Sequence, residues 1–274
     1  MKYDPIKKVF GDAVSNNKFL RKVFYWLLDL MFLRSWHVRK KIRELYPKNT
    51  NMDIFDAGMG FGQYTYFMAK RFPESKILAV DVKEEQVEDC KRFFSKSGFK
   101  NETFEIADLT KINYSNEFDF ILCVDVMEHI VEDELVFKNF GNALKKGGKL
   151  LVNTPSNLGG SDAHSDDDES FIEEHARIGY SKEDITEKIN RAGLNVTSFS
   201  YAYGKFGTIS WRFGIKYPIL MVGASKIFIL LLPVYYFFTI WFVLILMWLD
   251  VNVDNKEGTG VLLVAEKRTA DSSD

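Results

Sequence analysis

The 274-residue chain is 46% hydrophobic and 27% charged, the proportions of a globular protein long enough for one large domain or two small ones. Its 36 basic residues against 38 acidic ones exclude a general nucleic-acid binder, which needs a basic surplus to neutralise phosphates. Two cysteines, Cys90 and Cys123, exclude a disulfide framework. Set in apolar stretches, they read as buried free thiols of a reducing compartment, so a cytoplasmic location is expected.

The first residues, MKYDPIKKVFGDAVSNNK, carry no short apolar core with a small-residue cleavage site, so no secretory signal is expected. Residues 17 to 46 then place Leu20, Val23, Phe24, Leu27, Leu30 and Met31 at three- and four-residue spacing among basic side chains, which predicts one or two amphipathic helices. Tyr46-Pro47 ends them. Phe24, Tyr25, Trp26, Phe32 and Trp36 beside those cations suit a membrane headgroup interface.

From Met52 the pattern changes to short apolar runs alternating with amphipathic segments. The strands expected are MDIFDAG, KILAVDV, TFEIAD, FDFILCVDV and GGKLLVNTP, and helices run to Phe72, from Glu84 to about Lys96 and from about Val131 to Lys145. Strand and helix alternation of this length means βαβ units and a parallel sheet covered on both faces. Residues 156 to 175 are acidic and rich in Gly and Ser, a long loop that can serve as a lid, and His164 within it reads as solvated. SKEDITEKINRAG follows as a helix with Ser181 as N-cap, Asp184 at its third position and Gly193 as its stop. NVTSFSYAYG and GTGVLLVAEKR supply two further strands.

Asp56-Ala-Gly58-Met-Gly60-Phe-Gly62 follows the first strand and opens a helix, where glycines permit a sharp turn and a close backbone approach to a cofactor. The dinucleotide fingerprint spaces its glycines G-x-G-x-x-G, whereas Gln63 stands at its third glycine here, which disfavours a dehydrogenase. Asp56 can reach an ammonium group directly or through water. Asp81, nineteen residues after Gly62, ends the second strand, where a carboxylate accepts two ribose hydroxyls. Asp108 follows the third strand and can accept from an adenine amino group. The plain alternative is that these strand-end aspartates cap the following helices.

With DAGMGFGQYT, LAVDV, ADL, FDFILCVDVMEHI and LKKGGKLLVNTPS in this order, the chain resembles the class I S-adenosylmethionine-dependent methyltransferases over about residues 50 to 205 and 258 to 268. Within them it is similar to the ubiquinone-biosynthesis O-methyltransferase type. The resemblance implies a Rossmann-like α/β fold with a seven-stranded, mostly parallel sheet whose last strand, GTGVLLVAEKR, is antiparallel, and S-adenosylmethionine as methyl donor.

Asp125-Val-Met-Glu128-His129 lies just past the fourth strand. Methyl transfer from a sulfonium is an in-line displacement, so the protein must hold the nucleophile in line and remove its proton. His129 is a candidate base for a phenol-like hydroxyl, and Asp125 a candidate contact to the methionine part of the donor. The spacing of Asp125, Glu128 and His129, with His175 later, also resembles a divalent-metal arrangement of small-RNA 2′-O-methyltransferases and some quinone-type enzymes. There an ion such as magnesium lowers the hydroxyl pKa. The chain departs from that pattern by having Asp125 where it carries glutamate. Glu128, His129 and His175 are the candidate catalytic set, with metal use left open. Against it stand a helix-terminal histidine that only bonds its loop and a surface His175.

Between Ile215 and Leu249, 28 of 35 residues are hydrophobic, and Ile227 to Leu249 runs 23 residues without a charge, the length of a membrane-crossing helix. The run falls between two strands of one sheet, so it must leave and return on one side. A helical hairpin or in-plane pair is therefore expected, broken near Pro233 or Tyr217-Pro218, with Val234 to Leu249 reaching about 24 Å. Residues 1 to 46 and 215 to 249 hold 18 of the 41 aromatic rings, which favours an interface with lipid. The alternative is a dry cap or homodimer surface.

The expected organisation is an N-terminal helical region (1–48), a donor-binding domain (49–207), a hydrophobic helical insertion (208–257), the last strand (258–268) and a disordered tail (269–274). The function expected is O-methylation of a lipophilic or lipid-linked acceptor at the inner membrane face. The rivals are a methyltransferase of soluble acceptors and a non-catalytic binding protein of the same fold.

Overall fold

The computed structural model describes residues 17–159 and 176–268. Most of the acidic loop, with His164 and His175, and the 269–274 tail lie outside them. Asn17 opens helix α1 (Lys18–Met31), its side-chain oxygen accepting the N–H groups of Phe19 and Leu20 at 2.9 and 3.3 Å. Phe32, in extended conformation, breaks the path, and α2 (Leu33–Leu45) follows.

The sheet is built from β1 (Asp53–Ala57), β2 (Lys76–Asp81), β3 (Glu102–Ile106), β4 (Phe118–Val124), β5 (Leu144–Pro155), β6 (Leu194–Ala202) and β7 (Gly260–Lys267). Their order is β3-β2-β1-β4-β5-β7-β6, and β7 alone runs antiparallel to its neighbours. This is the Rossmann-like seven-stranded sheet that the family resemblance implies. Helices α3 (Gln63–Arg71), α4 (Glu84–Ser97), α5 (Asp133–Ala143) and α6 (Lys182–Arg191) connect the strands. Each face is covered. One core gathers Ile54, Met68, Phe94 and Phe120, and the other gathers Phe55, Ile121, Phe137 and Phe140.

One boundary differs from expectation. The helix read as Val131 to Lys145 ends at Ala143, and Leu144 already belongs to β5. The backbone N–H groups of Asn116 and Glu117 bond to the carbonyls of Asn142 and Ala143, and Phe118 pairs with Leu144, so the sheet captures the segment that periodicity assigned to the helix. Ser181 caps α6 as expected, accepting from the Asp184 N–H at 3.0 Å.

The apolar insertion is a helical hairpin. Its first leg is α7 (Lys205–Trp211), a π turn at Arg212–Lys216 and α8 (Tyr217–Ala224). A 3-10 turn at Lys226–Leu230 leads to the second leg, α9 (Leu232–Asn252). Pro233 sits in the first turn of α9, where no intrahelical N–H is needed, so it opens the helix and does not kink it. The 21-residue α9 is therefore longer than expected, about 31 Å at 1.5 Å per residue.

The legs meet closely because Gly214 has no side chain. A Cβ there would lie 3.0 Å from Val243 Cγ1. Beside it, the hydroxyls of Tyr235 and Tyr236 donate to the carbonyls of Phe213 and Gly214 at 2.7 and 2.8 Å. Leu33, Val243 and Met247 join the hairpin to the N-terminal helices.

The far end of α9 is anchored in the protein body. Asp250, fully buried, accepts from His37 Nε2 at 2.8 Å, the Gly207 N–H at 2.8 Å and the Tyr203 N–H at 3.2 Å. Lys40 Nζ donates to the Val251 carbonyl at 2.8 Å, placing a cation at the negative end of the helix.

Candidate active site

The chain winds outward from β1 to β3 and then returns to place β4 on the other side of β1. Open α/β sheets bind ligands at such a switch point, outside the carboxyl ends of the strands. Asp56, Asp81, Asp108 and Asp125 all lie at that edge.

The glycine loop is folded down onto β2. The N–H groups of Gly58 and Met59 both donate to the Val80 carbonyl at 2.9 Å, and the Gly60 N–H donates to Asp81 Oδ2 at 3.0 Å. All three glycines have left-handed φ, yet their surroundings differ. A Cβ on Gly58 would meet Val126 Cγ2 at 2.3 Å, and one on Gly62 would meet Cys90 Sγ at 2.9 Å, so these two are required by packing. A Cβ on Gly60 would meet nothing within 4 Å. Gly60 thus fronts an open cradle beside a half-buried carboxylate, which is what a nucleoside with free ribose hydroxyls needs.

The four aspartates have distinct environments. Asp81 Oδ1 accepts the Lys83 N–H at 2.9 Å while Oδ2 holds Gly60, an arrangement that fixes the carboxylate and leaves acceptor capacity on both oxygens. Asp108 Oδ1 accepts from the Thr110 hydroxyl at 2.7 Å and the Thr110 N–H at 3.0 Å, and Oδ2 pairs with Lys111 at 3.0 Å. Those bonds, Thr110 foremost, hold its pKa down at about 2. Asp108 therefore also does the capping work that was the plain alternative for it. Asp56 is buried and accepts from Thr65 Oγ1 at 2.5 Å, bracing the start of α3, and burial pushes its carboxyl up to about 7.

Asp125 has left-handed φ and donates its N–H to the Asn153 carbonyl at 2.9 Å. Its carboxylate forms an ion pair with Arg34, contributed by the start of α2. The Met127–His129 turn that follows sends its two candidate groups in opposite senses. Glu128 is buried against β5, where it accepts from Thr154 Oγ1 at 3.2 Å, and His129 is exposed. Burial, then the nearby Asp125 charge, raises Glu128 to about 8. Among the described residues no group of three His, Cys, Asp or Glu side chains could hold a metal ion.

Sequence reasoning missed the part played by the N-terminal helices. Arg21 and Tyr25 are buried: Arg21 Nη1 pairs with Asp89 at 2.5 Å, and Arg21 Nη2 and the Tyr25 hydroxyl donate to the Phe61 carbonyl inside the glycine loop at 2.8 and 2.6 Å. Tyr25, read as an interfacial ring, is thus a core residue, and its neighbour Phe24, half-buried, packs on Phe61 at the edge of that core. Arg21 lies one turn from Tyr25, a cation on the apolar face, and this was the available signal. Gln63 Nε2 donates to Asp29 Oδ1 and Ser35 Oγ, both at 2.8 Å. The Arg34 N–H donates to the hydroxyl of Tyr203, which itself has left-handed φ, at 3.2 Å. The helices therefore close over both the glycine loop and Asp125.

Residues 48–193 match a family described as methyltransferase domain. The chain is 24% identical over 207 residues to a malonyl-[acyl-carrier protein] O-methyltransferase of Bacillus cereus, covering 71% of this chain and 72% of that protein. It is 33% identical over 101 residues to phosphoethanolamine N-methyltransferase 1 of Triticum aestivum, covering 36% of this chain but 20% of the wheat protein. Its fold is similar to that of phosphoethanolamine N-methyltransferase 2 of Haemonchus contortus, solved with S-adenosyl-L-methionine, with a TM-score of 0.64 at 18% identity. That superposition covers 92% of this chain and 58% of the nematode chain. The acceptors in these names are a carrier-bound malonyl group and phosphoethanolamine, not a quinone precursor.

Proposed function

This chain belongs to the methyltransferase-domain family and is an S-adenosylmethionine-dependent methyltransferase, and on that premise we propose that it methylates an oxygen of a lipophilic small-molecule or lipid-linked acceptor. One observation carries the lipophilic reading: the wall beside Asp125 is continuous with the apolar hairpin. Asp250 of α9 holds Tyr203 by its N–H, the Tyr203 hydroxyl holds Arg34, and Arg34 pairs with Asp125. An acceptor entering beside Asp125 thus borders the insertion. Oxygen as nucleophile accords with the Bacillus relative, an O-methyltransferase.

When bound, the donor supplies an electrophilic methyl group on a sulfonium. The protein's part is to bind, orient and deprotonate. Asp81 and the open face at Gly60 hold the ribose, Asp108 meets the adenine, and Asp56 with Asp125 flank the amino-acid part. Arg34 fixes the Asp125 carboxylate and closes the site from the N-terminal side. His129, exposed at the same strand end, takes the acceptor proton. Glu128, held largely protonated at neutral pH by its burial, shapes the turn that presents His129.

The experiment is to incubate the purified protein with lipid extract and isotope-labelled donor and to search by mass spectrometry for species heavier by one methylene. Labelled lipophilic products support the reading. Label found only in water-soluble products, at equal rates with and without lipid, refutes it in favour of a soluble acceptor.

A further inference from the structure

The ion pair between Arg34 and Asp125 is better suited to recognition than to stability. Both side chains keep contact with solvent, 37% for Arg34 and 28% for Asp125, and a charge pair within reach of water adds little to folding. Asp125 also holds a left-handed φ of +51°, the kind of backbone strain that clusters at ligand sites.

Its place along the sheet edge decides what the pair can recognise. The strand order sets β2, β1 and β4 side by side, so Asp81, Asp56 and Asp125 stand in a row with about 4.8 Å from strand to strand. Asp81 and the open face at Gly60 begin that row with the ribose. A ligand that continues from ribose through sulfur to an amino acid therefore has its amino-acid part at the β1–β4 end. There Asp56 is buried and bound to Thr65, whereas Asp125 is partly exposed, so Asp125 is the carboxylate that an ammonium can reach.

Charge then brings in Arg34. An ammonium on Asp125 neutralises the carboxylate that compensates Arg34, and among the described residues no second carboxylate lies within ion-pair distance of that guanidinium. Arg34 also stands in the first turn of α2, where there is no acidic residue and Phe32 makes no side-chain cap, so the helix dipole adds to the positive potential. An amino acid answers both needs, because its ammonium and its carboxylate share one carbon. The guanidinium suits the second of them: Nη1 meets Asp125, and Nε and Nη2 carry further N–H donors in the same planar fork. That fork is held in place. The Arg34 N–H donates to the Tyr203 hydroxyl at 3.2 Å, and Arg34 Cζ lies 5.0 Å from the centre of the Phe32 ring. The next residue, Ser35, accepts from Gln63 Nε2 at 2.8 Å, which ties the cation to the exit of the glycine loop.

We propose that Arg34 binds the α-carboxylate of the donor while Asp125 binds its ammonium, so that the pair reads the zwitterion of the donor's amino-acid part. The inference rests on Asp125 as the contact to that part, and the test separates the two residues.

The test is a cycle of ligand and protein deletions on the full chain, read by isothermal titration calorimetry. The ligands are S-adenosylhomocysteine, its analogue without the carboxylate, its analogue without the amino group, and methylthioadenosine, which lacks both. Wild type should bind the decarboxylated analogue about ten- to a hundredfold more weakly than S-adenosylhomocysteine, the range of a hydrogen bond between charged groups. In Arg34→Gln that preference should fall below about threefold, with methylthioadenosine bound as in wild type. Arg34→Lys should recover part of it, since it keeps the charge without the fork. In Asp125→Asn the preference for the amino group should be lost and that for the carboxylate kept. Equal binding of S-adenosylhomocysteine and its decarboxylated analogue by wild type overturns the proposal without any variant. An undiminished carboxylate preference in Arg34→Gln overturns it as well and leaves the cation to the acceptor. Equal losses for all four ligands overturn it by making the pair structural. An amino-group preference that survives Asp125→Asn overturns the reading of Asp125 on which the proposal stands.

Discussion

Replacing Gly60 and Gly62 separately by alanine distinguishes a donor cradle from a merely tight turn. Both residues have positive φ, +53° and +74°, so each substitution carries the left-handed penalty of about 1–2 kcal/mol. At Gly60 that is the whole cost to stability, since the new methyl meets nothing within 4 Å. At Gly62 the methyl would also lie 2.9 Å from Cys90 Sγ and 3.3 Å from Phe94 Cε2 and the Tyr25 hydroxyl, which adds about 1–3 kcal/mol of overpacking. Ligand affinity should follow the opposite order. The Gly60 methyl occupies the space in front of Asp81, so S-adenosylhomocysteine should bind at least tenfold more weakly, about 1.4 kcal/mol. Urea denaturation and isothermal titration calorimetry read the two quantities. Undiminished affinity in Gly60→Ala, or a stability loss equal to that of Gly62→Ala, would refute the assignment of Gly60 to the cradle.

Three further outcomes are expected. Glu128 has its folded pKa raised from 4.5 to about 8, so the native state binds the extra proton and this group's contribution to stability falls as pH rises from about 4.5 through 8. Glu128→Gln should therefore raise the urea midpoint relative to wild type at pH 8.5 and much less at pH 5, while equal effects at both would remove the pKa argument. Asp250→Ala leaves the Gly207 and Tyr203 N–H groups and His37 without their buried acceptor and should cost about 3–5 kcal/mol in chemical denaturation; a loss below about 1 kcal/mol would show that the hairpin anchor lies elsewhere. His129→Ala should lower kcat with donor affinity retained, and parallel losses in kcat and in S-adenosylhomocysteine binding would make it a structural residue of its turn.

Much of the fold is legible along the chain because it depends on near neighbours. Strand and helix alternate with the periods of the sheet and of its covering helices, Ser181 caps α6 by reaching three residues ahead, and Asp81 ends β2 where its strand pattern ends. The strand-end aspartates are placed by the same local logic. The burial of Cys90 and Cys123 follows from their apolar surroundings. Less legible is the division of labour within a motif. Gly58, Gly60 and Gly62 are equivalent as letters, and only Val126 and Cys90, brought in from β4's exit and from α4, make two of them packing residues and leave the third open. Glu128 and His129 are adjacent in sequence, yet the turn past β4 buries one and exposes the other.

While the count of seven strands with an antiparallel last one came from the family resemblance, the sequence by itself determined a parallel α/β sheet of βαβ units, the donor-site edge and a returning apolar insertion. These follow from short-range periodicity and from the requirement that flanking strands share one sheet. Only the tertiary structure decided that Arg34 meets Asp125, that Arg21 and Tyr25 clamp the glycine loop, and that His37 and Gly207 meet Asp250. The separations are 91 residues for Arg34 and Asp125 and 213 for His37 and Asp250. No local period encodes such contacts. They form because burial leaves a charge or a backbone N–H no water to bond to, so whichever complementary group the packed core brings within reach becomes its partner.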